Sequence, residues 1–149
     1  MALESAHGRS RLAAAGVLSM SWKERQYSRP LYMHQLSEGT LRFLWLTALL
    51  SSRDLPPLVL LDEPEVSLHP ELLRLLVGLL REASERSQLI VCTHSDRLVR
   101  FLEPSELLLA QSADGAVRFD WADQLGLEEW LADYTLDELW RTGQLESAS

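Results

Sequence analysis

Two adjacent carboxylates follow an apolar run in the middle of the chain. The run at 58–61, Leu-Val-Leu-Leu, leads directly into Asp62 and Glu63. A short apolar run of this kind is typical of a strand that is buried on both faces, as in parallel sheets. Because side chains alternate along a strand, the two carboxylates point to opposite sides of its tip. One can hold Mg²⁺ while the other faces a water. The alternative is a buried strand that ends in a solvated acidic turn.

A second candidate site lies upstream, at the start of an apolar segment. Ser37, Gly39 and Thr40 precede residues 41–50, which are apolar nearly all round. This pattern predicts a buried helix with Ser37 as its N-cap. A serine hydroxyl, a glycine N–H and a helix N-terminus together form an anion site. A plain N-capped helix has the same features, so the short motif alone favours that alternative.

A histidine follows the next apolar run. Residues 89–93 predict a second buried strand that ends at His94, and the leucine-rich segment 71–86 predicts an amphipathic helix between the two strands. Strand, helix and strand in this length form a βαβ unit. Gly78, inside the helix, predicts a close packing contact. Cys92 is predicted to be a small core residue rather than a nucleophile.

Further elements are predicted on both sides of this unit. Alternating polar and apolar residues at 17–22, with a returning segment at 31–34, predict one hairpin. The turn signal Ser-Ala-Asp-Gly at 112–115 predicts a second hairpin between 106–111 and 116–119. The segment 127–145 is predicted to be helical in two pieces, and Thr135 with Glu138 forms a capping box for the second piece.

The composition predicts one globular domain. The chain has 149 residues and is 46% hydrophobic, which suffices for a core. The weakly patterned residues 1–16 predict a poorly ordered tail, which leaves 17–145 as the domain. No apolar run reaches the roughly 18 residues of a membrane span, no secretory signal is evident, and a single cysteine is consistent with a reducing cytoplasm. A net charge of −8 excludes a general DNA-binding surface for the chain as a whole.

The candidate sites occur in the order that an ABC-type ATPase would show. Residues 36–40, Leu-Ser-Glu-Gly-Thr, resemble the signature motif, whose common form is Leu-Ser-Gly-Gly-Gln. Residues 62–63 resemble Walker B, and 64–70, Pro-Glu-Val-Ser-Leu-His-Pro, resemble the D-loop that follows it. Residues 92–95, Cys-Thr-His-Ser, resemble the switch segment. The signature variant is similar to that of RecF-like and anti-phage ATPases, and the D-loop segment resembles that of SMC, RecF and OLD relatives. The C-terminal segment resembles predicted ATPases of the AAA_21 type.

The resemblance implies a fold and a chemistry. The fold would be α/β: a partial P-loop NTPase domain of the ABC-ATPase type, with a mainly parallel sheet, flanking helices and a C-terminal hairpin. The cofactors would be ATP and Mg²⁺. Asp62 would organise Mg²⁺, Glu63 would act as general base, and His94 would contact the γ-phosphate. We expect Glu65 to be a solvated charge.

The resemblance also implies a head-to-tail dimer. Ser37, Gly39 and Thr40 would meet the γ-phosphate held by the opposite subunit, and Ser67 and His69 of the D-loop would lie at the interface. His69 is equally well explained as an exposed helix-cap residue. The implied cellular work is DNA repair or phage defence, with DNA contacted through the complete protein.

One part of such an ATPase is missing from the sequence. The phosphate-binding loop requires Gly-x-x-x-x-Gly-Lys-Ser/Thr, and none of the seven glycines precedes the single lysine, Lys23, in that pattern. We therefore expect the C-terminal half of an ATPase, as a fragment, a split subunit or a degenerate copy, acting with a Walker A-bearing partner or as a homodimer. The alternative is a non-catalytic remnant that serves as a dimerisation or interaction module. A nuclease subunit is less favoured, because a second acidic cluster for two metals is missing.

Overall fold

The computed structural model describes residues 2–5, 18–23, 29–113 and 115–147. Within these ranges the chain is a mixed α/β protein with three small sheets. The strands are β1 (Ala2–Ser5), β2 (Leu18–Trp22), β3 (Leu31–Tyr32), β4 (Leu58–Asp62), β5 (Gln88–Cys92), β6 (Leu108–Ala113) and β7 (Ala116–Trp121). The α-helices are α1 (Glu38–Leu50), α2 (Pro70–Ser84), α3 (Asp96–Val99), α4 (Glu128–Leu131), α5 (Leu136–Arg141) and α6 (Gln144–Ser147). None of the helices in these ranges is long and apolar enough to cross a membrane.

The first sheet is antiparallel and has the order β1-β2-β3. The pairing of β2 with β3 confirms the first hairpin, although its turn at 24–28 lies outside the described residues. Strand β1 falls in the segment 1–16, for which the sequence predicted only a tail. Residues 2–5 instead form an edge strand that pairs with β2, and residues 6–16 lie outside the described residues. A strand at the edge of a sheet pairs with the free backbone N–H and C=O groups of the neighbouring strand. The weak side-chain pattern of the edge segment does not show that such a neighbour is present.

The second sheet is the parallel pair β4–β5, connected through α2. Its register runs from Leu58 opposite Gln88 to Asp62 opposite Cys92, which confirms the predicted strand–helix–strand unit. The predicted mainly parallel sheet is confirmed for this pair alone, because the other strand pairs of the described residues are antiparallel. The third sheet is the predicted hairpin β6–β7, whose turn residue Asp114 lies outside the described residues.

Two apolar clusters form the core of the described residues. The first joins α1, α2 and one face of β4, and its buried members include Leu46, Leu50, Val59, Leu61, Leu73, Leu76, Val77, Leu80, Ala83 and Leu98. The second joins the hairpin to the C-terminal helices, with Val99, Leu107, Leu109, Ala122, Leu127, Leu136, Leu139 and Leu145 buried. The leucine spacing of α2 therefore forms the predicted amphipathic face.

The parallel pair is buried on one face only. Val59 and Leu61 are buried, whereas Leu58, Leu60 and Ile90 are 46%, 67% and 46% exposed. The prediction of a strand buried on both faces is therefore wrong, because α1 and α2 pack on one side and no described element covers the other. For the same reason, the prediction that Cys92 is a core residue is wrong, because Cys92 is exposed. We call this surface, formed by Leu58, Leu60, Ile90 and Cys92, the open sheet face.

The glycine of α2 also differs from the prediction. Gly78 is exposed, and a Cβ placed on it would meet nothing within 4 Å. The expected close packing contact is wrong, because this position lies on the solvent side of the amphipathic helix.

Candidate functional site

The site begins where β4 ends. The Glu63 N–H donates to the Cys92 carbonyl at 2.9 Å, so the parallel ladder continues one residue beyond Asp62. The chain then turns: Val66 N–H donates to the Glu63 carbonyl at 3.2 Å. Glu63 has φ +42° and Ser67 has φ +65°, and they are the non-glycine residues of the described ranges with positive φ. We call residues 63–67 the carboxylate turn.

A cleft of about 260 Å³ opens at the carboxyl ends of β4 and β5. Ligands of open α/β sheets bind at this end of the strands. Its polar lining residues carry two acidic groups, two basic groups and a hydroxyl, and its other lining residues are apolar. Its lining consists of Glu63, Glu65, His94, Ser95 and Arg97 with Val66, Leu68, Pro70 and Leu73. Glu63 and His94, two of the candidate residues, are thus brought to one cavity.

A partly buried hydrogen-bonded chain links Glu65, in the carboxylate turn, to Ser95, which follows β5. The Thr93 hydroxyl donates to the Glu65 carboxylate and accepts from the Ser95 N–H at 3.0 Å. Glu65 is only 7% exposed, so the expectation of a solvated charge is wrong. Its second oxygen, Oε2, is buried without a hydrogen-bond partner among the described residues. The acidic turn looks solvent-exposed in sequence, and only its fold against β5 places Glu65 inside.

The N-terminus of α1 packs against the carboxylate turn. Ser37 is its N-cap, as predicted: the Ser37 Oγ accepts from the Thr40 N–H at 3.1 Å and lies 2.8 Å from the Thr40 Oγ1. A Cβ on Gly39 would lie 2.1 Å from the carbonyl oxygen of Ser67, so only glycine permits this approach. One turn further, Arg42 Nη2 donates to the Glu63 carbonyl at 2.7 Å.

His69 caps the next helix. Its Nδ1 accepts from the Glu71 N–H at 3.4 Å at the start of α2, and its side chain is 69% exposed. Of the two interpretations open for this residue, the helix cap is therefore present in the folded chain. A role at a subunit interface remains a prediction.

The donor chemistry at the strand tip is compatible with Mg²⁺. Asp62 is exposed and lies on the side of β4 away from the cleft lining. Within the described ranges no three or more His, Cys, Asp or Glu side chains converge as a metal cage. Mg²⁺ keeps several waters and is commonly held by one or two carboxylates together with substrate phosphates, so a single exposed carboxylate fits this ion.

The candidate residues thus form two neighbouring groups. Glu63 and His94 line the cleft, and Gly39 touches Ser67 beside it. Asp62, Ser37, Thr40 and His69 do not line the cleft. The sequence prediction omitted Thr93, Arg97 and Arg42. Arg42 follows the signature segment at helical spacing from Ser37, but this position does not show what the guanidinium contacts.

Comparison with known proteins concerns the family and the fold of the chain. Among solved structures, one described as "Structural biochemistry of ATP-driven dimerization and DNA stimulated activation of SMC ATPases" has a TM-score of 0.57 to this chain. The match has 18% identity and covers 81% of this chain and 76% of the other, and at that identity it concerns the fold alone. No curated protein matches. A family model described as "AAA domain, putative AbiEii toxin, Type IV TA system" matches residues 3–100, more than half of the chain. The chain therefore belongs to this AAA_21 family.

Proposed function

We propose that this chain supplies part of an ATP-hydrolysing site that works between two subunits. The observation that carries the proposal is the cleft in which Glu63 and His94 face one cavity at the carboxyl ends of two parallel strands. A carboxylate and an imidazole in one cavity can accept a proton from water and donate a hydrogen bond to a phosphate oxygen.

The residue roles follow from these positions. Glu63 accepts the proton of the attacking water, and His94 donates to the γ-phosphate. Asp62, on the other side of the strand tip, holds Mg²⁺ through its exposed carboxylate. When bound, this ion neutralises phosphate charge as the leaving group departs.

The signature residues act on the nucleotide of the opposite subunit. Ser37, Gly39 and Thr40 lie at the N-terminus of a 13-residue helix, where the helix dipole and free N–H groups favour an anion. Ser67, the last residue of the carboxylate turn, and His69, which follows it, lie at the same subunit interface. The ATP cradle itself requires a Walker A loop, which the 149 residues do not contain, so it comes from a further segment or a partner subunit.

The cellular work that we propose is DNA repair or defence against phage. Two observations support it. The description of the family includes a toxin of type IV toxin–antitoxin systems, and that of the similar structure includes DNA-stimulated activation of SMC ATPases.

The test is Glu63→Gln in the assembly of this chain with its Walker A-bearing segment or subunit. The substitution keeps size and hydrogen bonding but removes the base, so turnover falls by roughly 10²–10⁴ while ATP binding persists. Glu85→Gln, at the exposed C-terminus of α2, is the matched control and retains the parental rate. Parental turnover in Glu63→Gln would refute the assignment.

A second candidate function is a non-catalytic interaction module. The open sheet face favours it, because parallel sheets are ordinarily covered on both sides and Leu58, Leu60 and Ile90 are exposed here. Calorimetry of the same assembly separates the candidates. Mg·ATP binding supports the ATPase, whereas subunit association without any nucleotide binding supports the module.

A further inference from the structure

Helix α1 contacts the carboxylate turn at two points, and both contacts are to residues in unusual backbone conformations. Arg42 Nη2 donates to the Glu63 carbonyl at 2.7 Å, and the Gly39 Cα packs against the Ser67 carbonyl. Glu63 and Ser67 are the positive-φ non-glycine residues of the described chain. Such conformations persist where the surrounding structure holds them, and they concentrate at functional sites.

The peptide groups of Glu63 are held from two directions. Its N–H donates to the Cys92 carbonyl of β5 at 2.9 Å, and its carbonyl accepts from Arg42 of α1. A hydrogen bond from a guanidinium is charge-assisted, which makes it stronger than one between neutral groups. The Arg42 guanidinium is therefore the side-chain contact that ties α1 to the backbone of Glu63.

We propose that Arg42 is a positioning residue that couples the N-terminus of α1 to the carboxylate of Glu63. The inference rests on the proposed function, in which Ser37 meets the phosphate of the opposite subunit. Ser37 and Arg42 are five residues apart, roughly 7–8 Å along the axis of one helix. A shift of α1 upon phosphate binding therefore moves the guanidinium, and with it the Glu63 carbonyl. Nucleotide at one composite site thus sets the alignment of the general base at the other.

The experiment compares Arg42→Met, Arg42→Lys and the control Arg74→Met, which changes an exposed arginine of α2. Hydrogen exchange, measured on this chain, reports the exchange rates of the Val66 and Leu68 amides. The Val66 amide donates to the Glu63 carbonyl and the Leu68 amide donates to the Glu65 carbonyl. Steady-state kinetics and ATP-driven association are measured in the assembly that contains the Walker A loop. Circular dichroism checks that each variant is folded.

We expect Arg42→Met to accelerate exchange at these amides about tenfold. It lowers kcat roughly 10- to 100-fold, because a small misplacement of a catalytic group is costly. KM and ATP-driven association stay at parental values. A general loss of structure would change both of them. Arg42→Lys, which keeps a cationic donor, recovers part of kcat, and Arg74→Met behaves as the parent. If Arg42→Met does not fold, Arg42→Lys carries the same comparison.

The possible failures are distinguishable. Parental exchange rates in Arg42→Met overturn the positioning contact, whatever the kinetics show. Accelerated exchange with parental kcat overturns the coupling to Glu63. A parental assembly without turnover overturns the proposed function, and the coupling with it, while the exchange measurement still decides whether Arg42 holds the turn.

Discussion

The two glycines at helical positions 39 and 78 should respond in opposite ways to the same substitution. At Gly39, an added Cβ would lie 2.1 Å from the carbonyl oxygen of Ser67 and 3.2 Å from its carbonyl carbon. Both distances are shorter than the ordinary contact range of 3.4–4 Å. Both neighbours are backbone atoms, so the carboxylate turn itself must move. At Gly78, the added methyl would meet nothing within 4 Å.

The magnitudes follow from these surroundings. Overpacking costs typically 1–3 kcal/mol and occasionally more, while replacing glycine by alanine inside a helix gains up to about 1 kcal/mol. Because the clash at position 39 is with backbone, we expect Gly39→Ala to lower the free energy of unfolding by about 2 kcal/mol. Gly78→Ala should raise it by about 0.5–1 kcal/mol. For a chain of this length each kcal/mol shifts Tm by roughly 2–4 °C.

The assay is thermal and urea unfolding of the parent, Gly39→Ala and Gly78→Ala, followed by circular dichroism under identical conditions. The expected order of stability is Gly78→Ala, then parent, then Gly39→Ala. A Gly39→Ala variant that melts at or above the parent would refute the close approach of α1 to Ser67. Because a side chain at position 39 would itself displace the carboxylate turn, contact with the phosphate of the opposite subunit is better tested by substituting Ser37 than Gly39.

Three further outcomes test contacts away from the glycines. Thr93→Val removes the donor to the buried Glu65 and should destabilise the fold by about 1–3 kcal/mol in urea unfolding, whereas an unchanged midpoint would contradict the connection. Arg81→Met removes two hydrogen bonds of 2.7 Å to Glu106. The Arg81 hydrogen bond also lowers the pKa of Glu106. Both groups are partly exposed, so we expect a cost of only about 0.5–1 kcal/mol. This cost decreases below the pKa of Glu106, and the part that comes from the lost Arg81 hydrogen bond to the Phe101 carbonyl is independent of pH. Asp137→Asn should destabilise the chain at pH 7 and progressively less below about pH 4, and a pH-independent effect would contradict it.

The sign of the Asp137 prediction comes from its surroundings. Burial raises the pKa of this carboxyl, but hydrogen bonds from Thr135 and Arg141 outweigh burial and leave the pKa below its usual value. A carboxylate with a lowered folded-state pKa stabilises the fold above its unfolded pKa, and this contribution is lost as pH falls through the folded value. Paired unfolding curves of parent and Asp137→Asn at pH 7 and pH 3 measure the difference.

Patterns local to a few residues were predictable. The Ser37 N-cap, the hairpin β6–β7 and the hydrogen bonds of Thr135 to the Glu138 carboxylate follow from residues within one element or one turn. The parallel β4–β5 pairing joins two elements, but it was predictable because a strand, a helix and a strand of this length form a βαβ unit. The C-terminal segment differs in having three short helices rather than two. The Walker-like motifs also led to the right family, because short motifs in a fixed order are more specific than any one of them.

What sequence could not predict depends on contacts between elements. An apolar run does not show whether one or two of its faces will be covered, so the exposure of Leu60 was missed. Propensity does not distinguish Gly39, which packs against backbone, from Gly78, which faces solvent. Burial of Glu65 depends on the tight turn after β4 and on Thr93 of the neighbouring strand. The roles of the site residues and the subunit arrangement stay predictions.

The position of Cys92 makes the chain ready for spectroscopic labelling. It is the single cysteine of the sequence, it is exposed, and it lies directly across the ladder from Asp62. A nitroxide or a fluorophore attached there needs no prior removal of other thiols. The attachment point lies about one strand spacing from Asp62, so the mobility of the probe reports when another polypeptide comes to rest on that side of the strands.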